Sequence, residues 1–232
     1  MKKRNREREL KQQIKDLRRQ TILNSAEKLF LTKGYGETTM QDIADEAGYG
    51  KGTLYNYFKS KDSLYLSIGI KAYELVITYT EDFIEDEEPG LDQLMAIGYG
   101  FYEFAKDHPG YARIFHDIAT NVPDPSSKPT KSLNEAERDY LESSNRYRDV
   151  FMNVMKDAMR VGALRSDVNP MMIGYVLSNL TSSLIAELIE HPGFLERFKI
   201  KEKDVVEFTF EILAEGLKPR ESKKEVSKNG KT

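Results

Sequence analysis

The sequence has 232 residues, 39% of them hydrophobic and 31% charged, with a formal net charge of −3, three histidines and no cysteine. This suits one large domain or a small head on a larger body, and it excludes a disordered, collagenous or disulfide-framed chain. The opening MKKRNREREL lacks the apolar core of a signal peptide, and the absence of thiols fits a reducing cytoplasm, so a cytoplasmic protein is expected.

The charge is unevenly laid out. Residues 1–61 carry 14 Lys/Arg against 8 Asp/Glu, residues 62–217 carry 15 against 28, and the remainder from 218 carries 6 against 2. A basic head on an acidic body lets DNA approach by one end only.

Residues 1–18 form a basic N-terminal extension in which Leu10, Ile14 and Leu17 are spaced to continue the first helix backwards, while the outermost residues are expected to be disordered. Lys2, Lys3, Arg4, Arg6 and Arg8 read equally well as an arm on DNA or as a solubilising tail. From Gln20 to Lys33, Ile22, Ala26, Leu29 and Phe30 share one face, and Gly34 ends the helix. Thr39 with Asp42 three residues later predicts a helix start, Met40, Ile43, Ala44 and Ala47 give it an apolar face, and Gly48 supplies a left-handed stop. A second short helix follows Tyr49-Gly50. Leu54 and Phe58 point it inward, which turns Gly52 and Asn56 outward with Thr53 and Tyr55 on the flanks. Lys51 stands at the start of this bare polar face, and Tyr57, Lys59 and Lys61 at its end, where they can meet phosphates. A helix read into a DNA major groove needs this arrangement. The candidate DNA-binding residues are Thr39, Lys51, Gly52, Thr53, Tyr55, Asn56, Tyr57 and Lys61, within a helix-turn-helix domain at 19–61.

The body, residues 62–217, reads as six further helices. They cover about 62–84, 91–106, a short one from Tyr111, 133–160, 169–190 and 201–216, broken at Pro89-Gly90, His108-Pro109-Gly110, the Pro-containing loop 121–130, Gly162 and His191-Pro192-Gly193. The loop 121–130 is expected to be the most mobile part of the body. Residues 218–232 are expected to form a basic flexible tail. With no strand pattern, the fold class is all-α with about nine helices, three in the head. The run Val168 to Ala186 approaches a membrane span in length, but its Asn, Ser and Thr residues favour a buried interface helix. No nucleophile or metal motif involves His108, His116 or His191, and Glu187 with His191 is one incomplete pair, so no catalytic residue, metal or cofactor is expected.

The stretches GYGETTMQDIADEAG, KGTLYNYFKSKDSLY and, far downstream, GALRSDVNP, together with the length, resemble the tetracycline-repressor (TetR) family of prokaryotic one-component regulators. Two departures concern the turn and the recognition helix. Tyr49-Gly50 stands where the family has a small aliphatic residue and Ser, and Tyr57 stands at a position most often His. The resemblance implies a homodimer in which the last two helices of each copy form a four-helix bundle. Tyr175, Leu180, Leu184, Leu188, Phe208 and Ile212 are the candidate interface residues. It also implies a ligand pocket among the middle helices, with Tyr73, Tyr99, Tyr102, Phe115, Tyr147, Phe151 and Met155 as candidate lining. The expected function is that of a repressor on a palindromic double-stranded DNA operator, released by a small apolar or amphipathic effector. The alternative is a constitutive DNA-binding regulator whose body only dimerises or recruits a protein partner.

Overall fold

The structure, a computed structural model, describes residues 2–220, and among them every regular element is helical. Nine α-helices follow one another: α1 (Lys2–Glu37), α2 (Met40–Ala47), α3 (Lys51–Tyr57), α4 (Lys61–Ile84), α5 (Leu91–Asp107), α6 (Pro109–Asn121), α7 (Glu135–Arg160), α8 (Pro170–Glu190) and α9 (Glu202–Leu217). The all-α expectation and the order of the helices agree with this. The tail beyond residue 220 lies outside the described residues.

The N-terminal extension continues the first helix backwards, as the spacing of Leu10, Ile14 and Leu17 predicts, but its outermost residues depart from expectation. Instead of fraying, α1 is helical from Lys2, so the predicted boundary at 18/19 falls inside one helix. No glycine or proline occurs before Gly34, and the segment is rich in Arg, Lys, Glu, Gln and Leu, all strong helix formers. Gly34, at φ 80° and ψ 174°, breaks the helical path. α2 begins as the sequence predicts. The Thr39 side chain accepts from the Asp42 backbone N–H, Asp42 reaches back to the Thr39 N–H, and Gly48 closes the helix at φ 71°.

The head does not have a core of its own. Ile22, Phe30, Ile43, Leu54 and Phe58 pack in one cluster with Leu64, Tyr65 and Ile68 of α4 and Ile114 and Ile118 of α6. The predicted boundary at 61/62 therefore falls at the first residue of α4 and does not separate cores. Further along, α4 and α5 touch so closely that a Cβ on Gly100 would lie 2.8 Å from the Tyr79 carbonyl oxygen and 2.9 Å from Thr80 Cα. Two more clusters fill the body, one around Val76, Phe101, Phe104, Ile185 and Phe210 and one around Leu94, Ile97, Met155, Leu164, Ile173 and Leu177. The segment between α6 and α7 is not wholly irregular. It forms two short 3-10 turns, Pro125–Ser127 and Thr130–Ser132, with Pro125 buried and Lys128 paired to Glu137 at 2.6 Å.

α8 is long and apolar enough to cross a membrane by length and composition, and most of its apolar window is uncovered. Met171, Met172, Tyr175, Val176 and Leu180 on α8, with Phe208 and Ile212 on α9, lie exposed. Tyr175 is 72% accessible and Phe208 62%, values that single-chain packing leaves unexplained.

Candidate nucleic-acid interface

A helix of seven residues is too short to persist alone. α3 persists because Leu54 is fully buried and Phe58, which follows it, is 3% accessible, both anchored in the shared cluster. Its start is made by backbone only: no side chain caps it, and the Gly50 carbonyl accepts from the N–H groups of Thr53 and Leu54 at 2.8 and 3.2 Å. Lys51, Gly52, Tyr55 and Asn56 are exposed on the outward face, with Thr53 and Tyr57 half-buried at its margins. A Cβ on Gly50 or Gly52 would meet nothing within 4 Å, so the face is bare where a groove wall would approach. At about 1.5 Å per residue α3 is roughly 10 Å long, a match for a major groove about 12 Å wide.

Thr39 and Lys61 occupy other roles in this geometry. The exposed Thr39 spends its hydroxyl in the α2 cap, donating to Asp42 Oδ2 at 2.7 Å, which holds the Asp42 carboxyl below the ordinary carboxylate range. Lys61 is half-buried: its Nζ donates to the Tyr35 carbonyl at 2.8 Å and stands 4.0 Å from the centroid of the Tyr35 ring. The Tyr35 hydroxyl in turn donates to Asp62, and burial, together with that carboxylate, pushes its pKa well up.

Several connections had no sequence signal. The Arg19 guanidinium lies 5.1 Å over the Phe58 ring, next to the end of α3, and Lys28 pairs with Glu46 at 2.6 Å across α1 and α2. Head and body meet where Glu27 accepts from Lys71 Nζ at 2.8 Å and from the Tyr111 hydroxyl, and within the body the Tyr65 hydroxyl of α4 donates to Asp117 of α6 at 3.0 Å. Gly110 seats α6 against α1, since a Cβ there would lie 2.6 Å from Leu31 Cδ2. These partners are 44, 84 and 52 residues apart, beyond the reach of any local periodicity.

The candidate pocket residues divide between two clusters. Tyr73, Phe115 and Tyr147 meet ring to ring, with centroids 5.0 to 6.0 Å apart, whereas Tyr99 packs edge-on against Phe210 of α9 at 4.9 Å. Phe151 and Met155 belong to the third cluster. A hollow of about 190 Å³ between α5 and α8 is lined by Tyr102, Ile185 and Leu188, and a groove of about 630 Å³ runs along the outer side of α7. Tyr102 is the one candidate pocket residue lining either. Among the candidate interface residues, Tyr175, Leu180, Phe208 and Ile212 are exposed, Leu184 is half-buried, and Leu188 packs inward against the second cluster.

An all-helical body carrying an N-terminal helix-turn-helix with a bare polar second helix defines a DNA-binding transcriptional regulator. Residues 22–68 match the model of the bacterial regulatory proteins of the tetR family. The HTH-type transcriptional repressor KstR2 of Rhodococcus jostii is 30% identical over 159 residues, covering 66% of this chain and 70% of that protein. The chain belongs to the tetR family, as the sequence motifs implied, and it is a transcriptional regulator rather than an enzyme. The fold is shared with KstR2 of Mycobacterium tuberculosis, at TM-score 0.59, 20% identity and coverage of 88% and 96% of the two chains. It is shared as well with FadR of Bacillus subtilis, solved in complex with stearoyl-CoA, at TM-score 0.59, 16% identity and coverage of 85% and 98%.

Proposed function

We propose that the protein is a cytoplasmic repressor that binds a palindromic operator as a homodimer and is released by a small apolar or amphipathic ligand, of which a long-chain acyl thioester is the first to try. The observation that carries the dimer is the exposed apolar face of α8 and α9, with Tyr175, Leu180, Phe208 and Ile212 at its centre. Paired across a two-fold axis, that face would be buried and two α3 helices presented together, about 34 to 36 Å apart for successive major grooves. Lys51, Tyr55 and Tyr57 would meet phosphates, and Thr53 and Asn56 base edges, with Gly52 allowing close approach. Ligand binding would act through α4, which runs from the head's cluster into the body. A coupling of about 1 to 3 kcal/mol suffices for a useful switch. The acyl-thioester suggestion rests on the stearoyl-CoA of FadR.

A second reading is a constitutive regulator whose body only dimerises or recruits a partner. The ring-to-ring packing of Tyr73, Phe115 and Tyr147 favours it, because a ligand there would have to part those rings. The two readings separate in one experiment. An operator is selected from a random duplex pool, and its affinity is measured with and without saturating acyl-CoA of several chain lengths and the corresponding free acids. Release of the operator supports the switch. Unchanged affinity and unchanged melting temperature throughout remove it and leave the constitutive regulator.

A further inference from the structure

The head's excess positive charge is not in the helix-turn-helix. Residues 20–61 carry five Lys/Arg against five Asp/Glu, while residues 2–19 carry nine against three. That basic segment is the first half of α1, and its side chains from Arg4 to Arg18 are all exposed. Over those positions the helix advances about 22 Å, at about 1.5 Å per residue.

Five of its nine cations fall on one side, while Lys2, Lys3 and Arg6 lie elsewhere around the helix. Arg4, Arg8, Lys11, Lys15 and Arg18 recur at four- and three-residue steps, an arc of about 80° at about 100° per residue. Continued by the same steps, this stripe becomes Ile22, Ala26 and Leu29, the buried face that packs on the head. The stripe therefore continues, just past the head, the face of α1 that packs on the cluster shared by α2, α3, α4 and α6. Arg19 fixes where the helix leaves: its guanidinium rests 5.1 Å over the ring of Phe58, the residue that ends α3. A duplex lying along α3 would run past this stripe.

Resting on the DNA-binding reading, we infer that the first half of α1 is a second DNA-contacting element, laying its basic stripe on the phosphates that flank the groove entered by α3. The complementarity is of charge alone: five cations in a row face a uniform anionic backbone, so this contact adds affinity and salt dependence without sequence preference. Leu10, Ile14 and Leu17 lie on a neighbouring face outside the cationic arc, and Glu7 stands at its edge.

The test uses the full chain and a random-sequence duplex of about 40 base pairs, with affinity followed by fluorescence anisotropy between about 50 and 200 mM KCl. One variant carries Arg4→Gln, Arg8→Gln, Lys11→Gln, Lys15→Gln and Arg18→Gln; glutamine keeps helix propensity, and the exposed positions bear no core contact. A second carries Arg4→Lys, Arg8→Lys and Arg18→Lys, and a third Leu10→Gln, Ile14→Gln and Leu17→Gln. The glutamine stripe variant should bind at least tenfold more weakly at the lower salt, and its salt slope should be shallower by about 0.9 for each stripe cation seated on a phosphate. The lysine and apolar-face variants should keep the wild-type slope and the wild-type sedimentation mass. A wild-type slope in the glutamine variant overturns the inference alone. Loss of both slope and mass in the apolar-face variant overturns it in favour of pairing with a second copy. Failure of the wild-type chain to bind any duplex removes the DNA-binding reading and the inference together.

Discussion

Gly52→Ala should move stability and DNA binding in opposite directions. In the free protein a Cβ at position 52 meets nothing within 4 Å, and the residue does not have the positive φ that favours glycine. Alanine should therefore stabilise α3 by removing glycine's conformational freedom from the unfolded chain. The gain is about 0.5 kcal/mol in the first turn of a helix, or roughly 1 to 2 °C in melting temperature for a chain of this size. In the DNA complex the same methyl would project from the outward face into the groove wall. Overfilling a close contact costs about 1 to 3 kcal/mol, a five- to 150-fold loss of operator affinity. Thermal unfolding of the free protein and anisotropy on the selected operator provide the two readouts. Wild-type operator affinity in a folded Gly52→Ala variant would refute the placement of this face against DNA.

Gly100→Ala should behave oppositely in the free protein, costing about 3 kcal/mol because its Cβ would strike the Tyr79 carbonyl and Thr80 Cα, backbone atoms that cannot rotate aside; an unchanged melt would contradict the close α4–α5 approach. Lys61→Ala should lower stability by about 1 to 2 kcal/mol through loss of the Tyr35 carbonyl bond and ring contact, with little change in salt slope; weaker DNA binding with an unaltered melt would return Lys61 to the phosphate-contact group. Burial pushes the Tyr147 hydroxyl up to about 12 and raises Tyr65 and Tyr140 as well. The fold thus favours their neutral forms, so stability is full below about pH 10 and falls as pH rises through 12. The urea midpoint should accordingly be flat from pH 8 to about 9.5 and drop beyond 10, and a midpoint constant to pH 12 would contradict that burial. Combining Tyr175→Arg with Phe208→Arg should give a folded monomer by sedimentation and at least a hundredfold loss on the operator, since like charges would face each other across the two-fold axis; a dimer that persists would move the interface elsewhere.

The head was legible because its signals are local. Thr39 and Asp42 are three residues apart, Gly48 is the residue a left-handed stop requires, and Leu54 and Phe58 stand one turn apart, so each feature could be recognised within a single window. The exposed face of α8 was legible for the same reason, although Leu188, on the same helix, packs inward against the second cluster. What could not be read depends on pairs far apart in sequence. Nothing near Lys61 announces Tyr35, and nothing near Glu27 announces Lys71 or Tyr111. The aromatic residues of the middle helices were visible as a population. Their division into a Tyr73–Phe115–Tyr147 edge-on cluster and a separate Tyr99–Phe210 contact depends on how five helices pack, which composition does not encode. The reach of α1 back to Lys2 is less legible, because a dense run of charge suggests disorder while the helix propensity of the residues that carry it favours the helix.

The most direct measurement is a crystal structure of the protein bound to its selected operator. Two copies are expected, joined through α8 and α9, their α3 helices in successive major grooves about 34 to 36 Å apart, with Asn56 and Thr53 at base edges. A single copy on the duplex, or α3 held away from the groove, would contradict this arrangement.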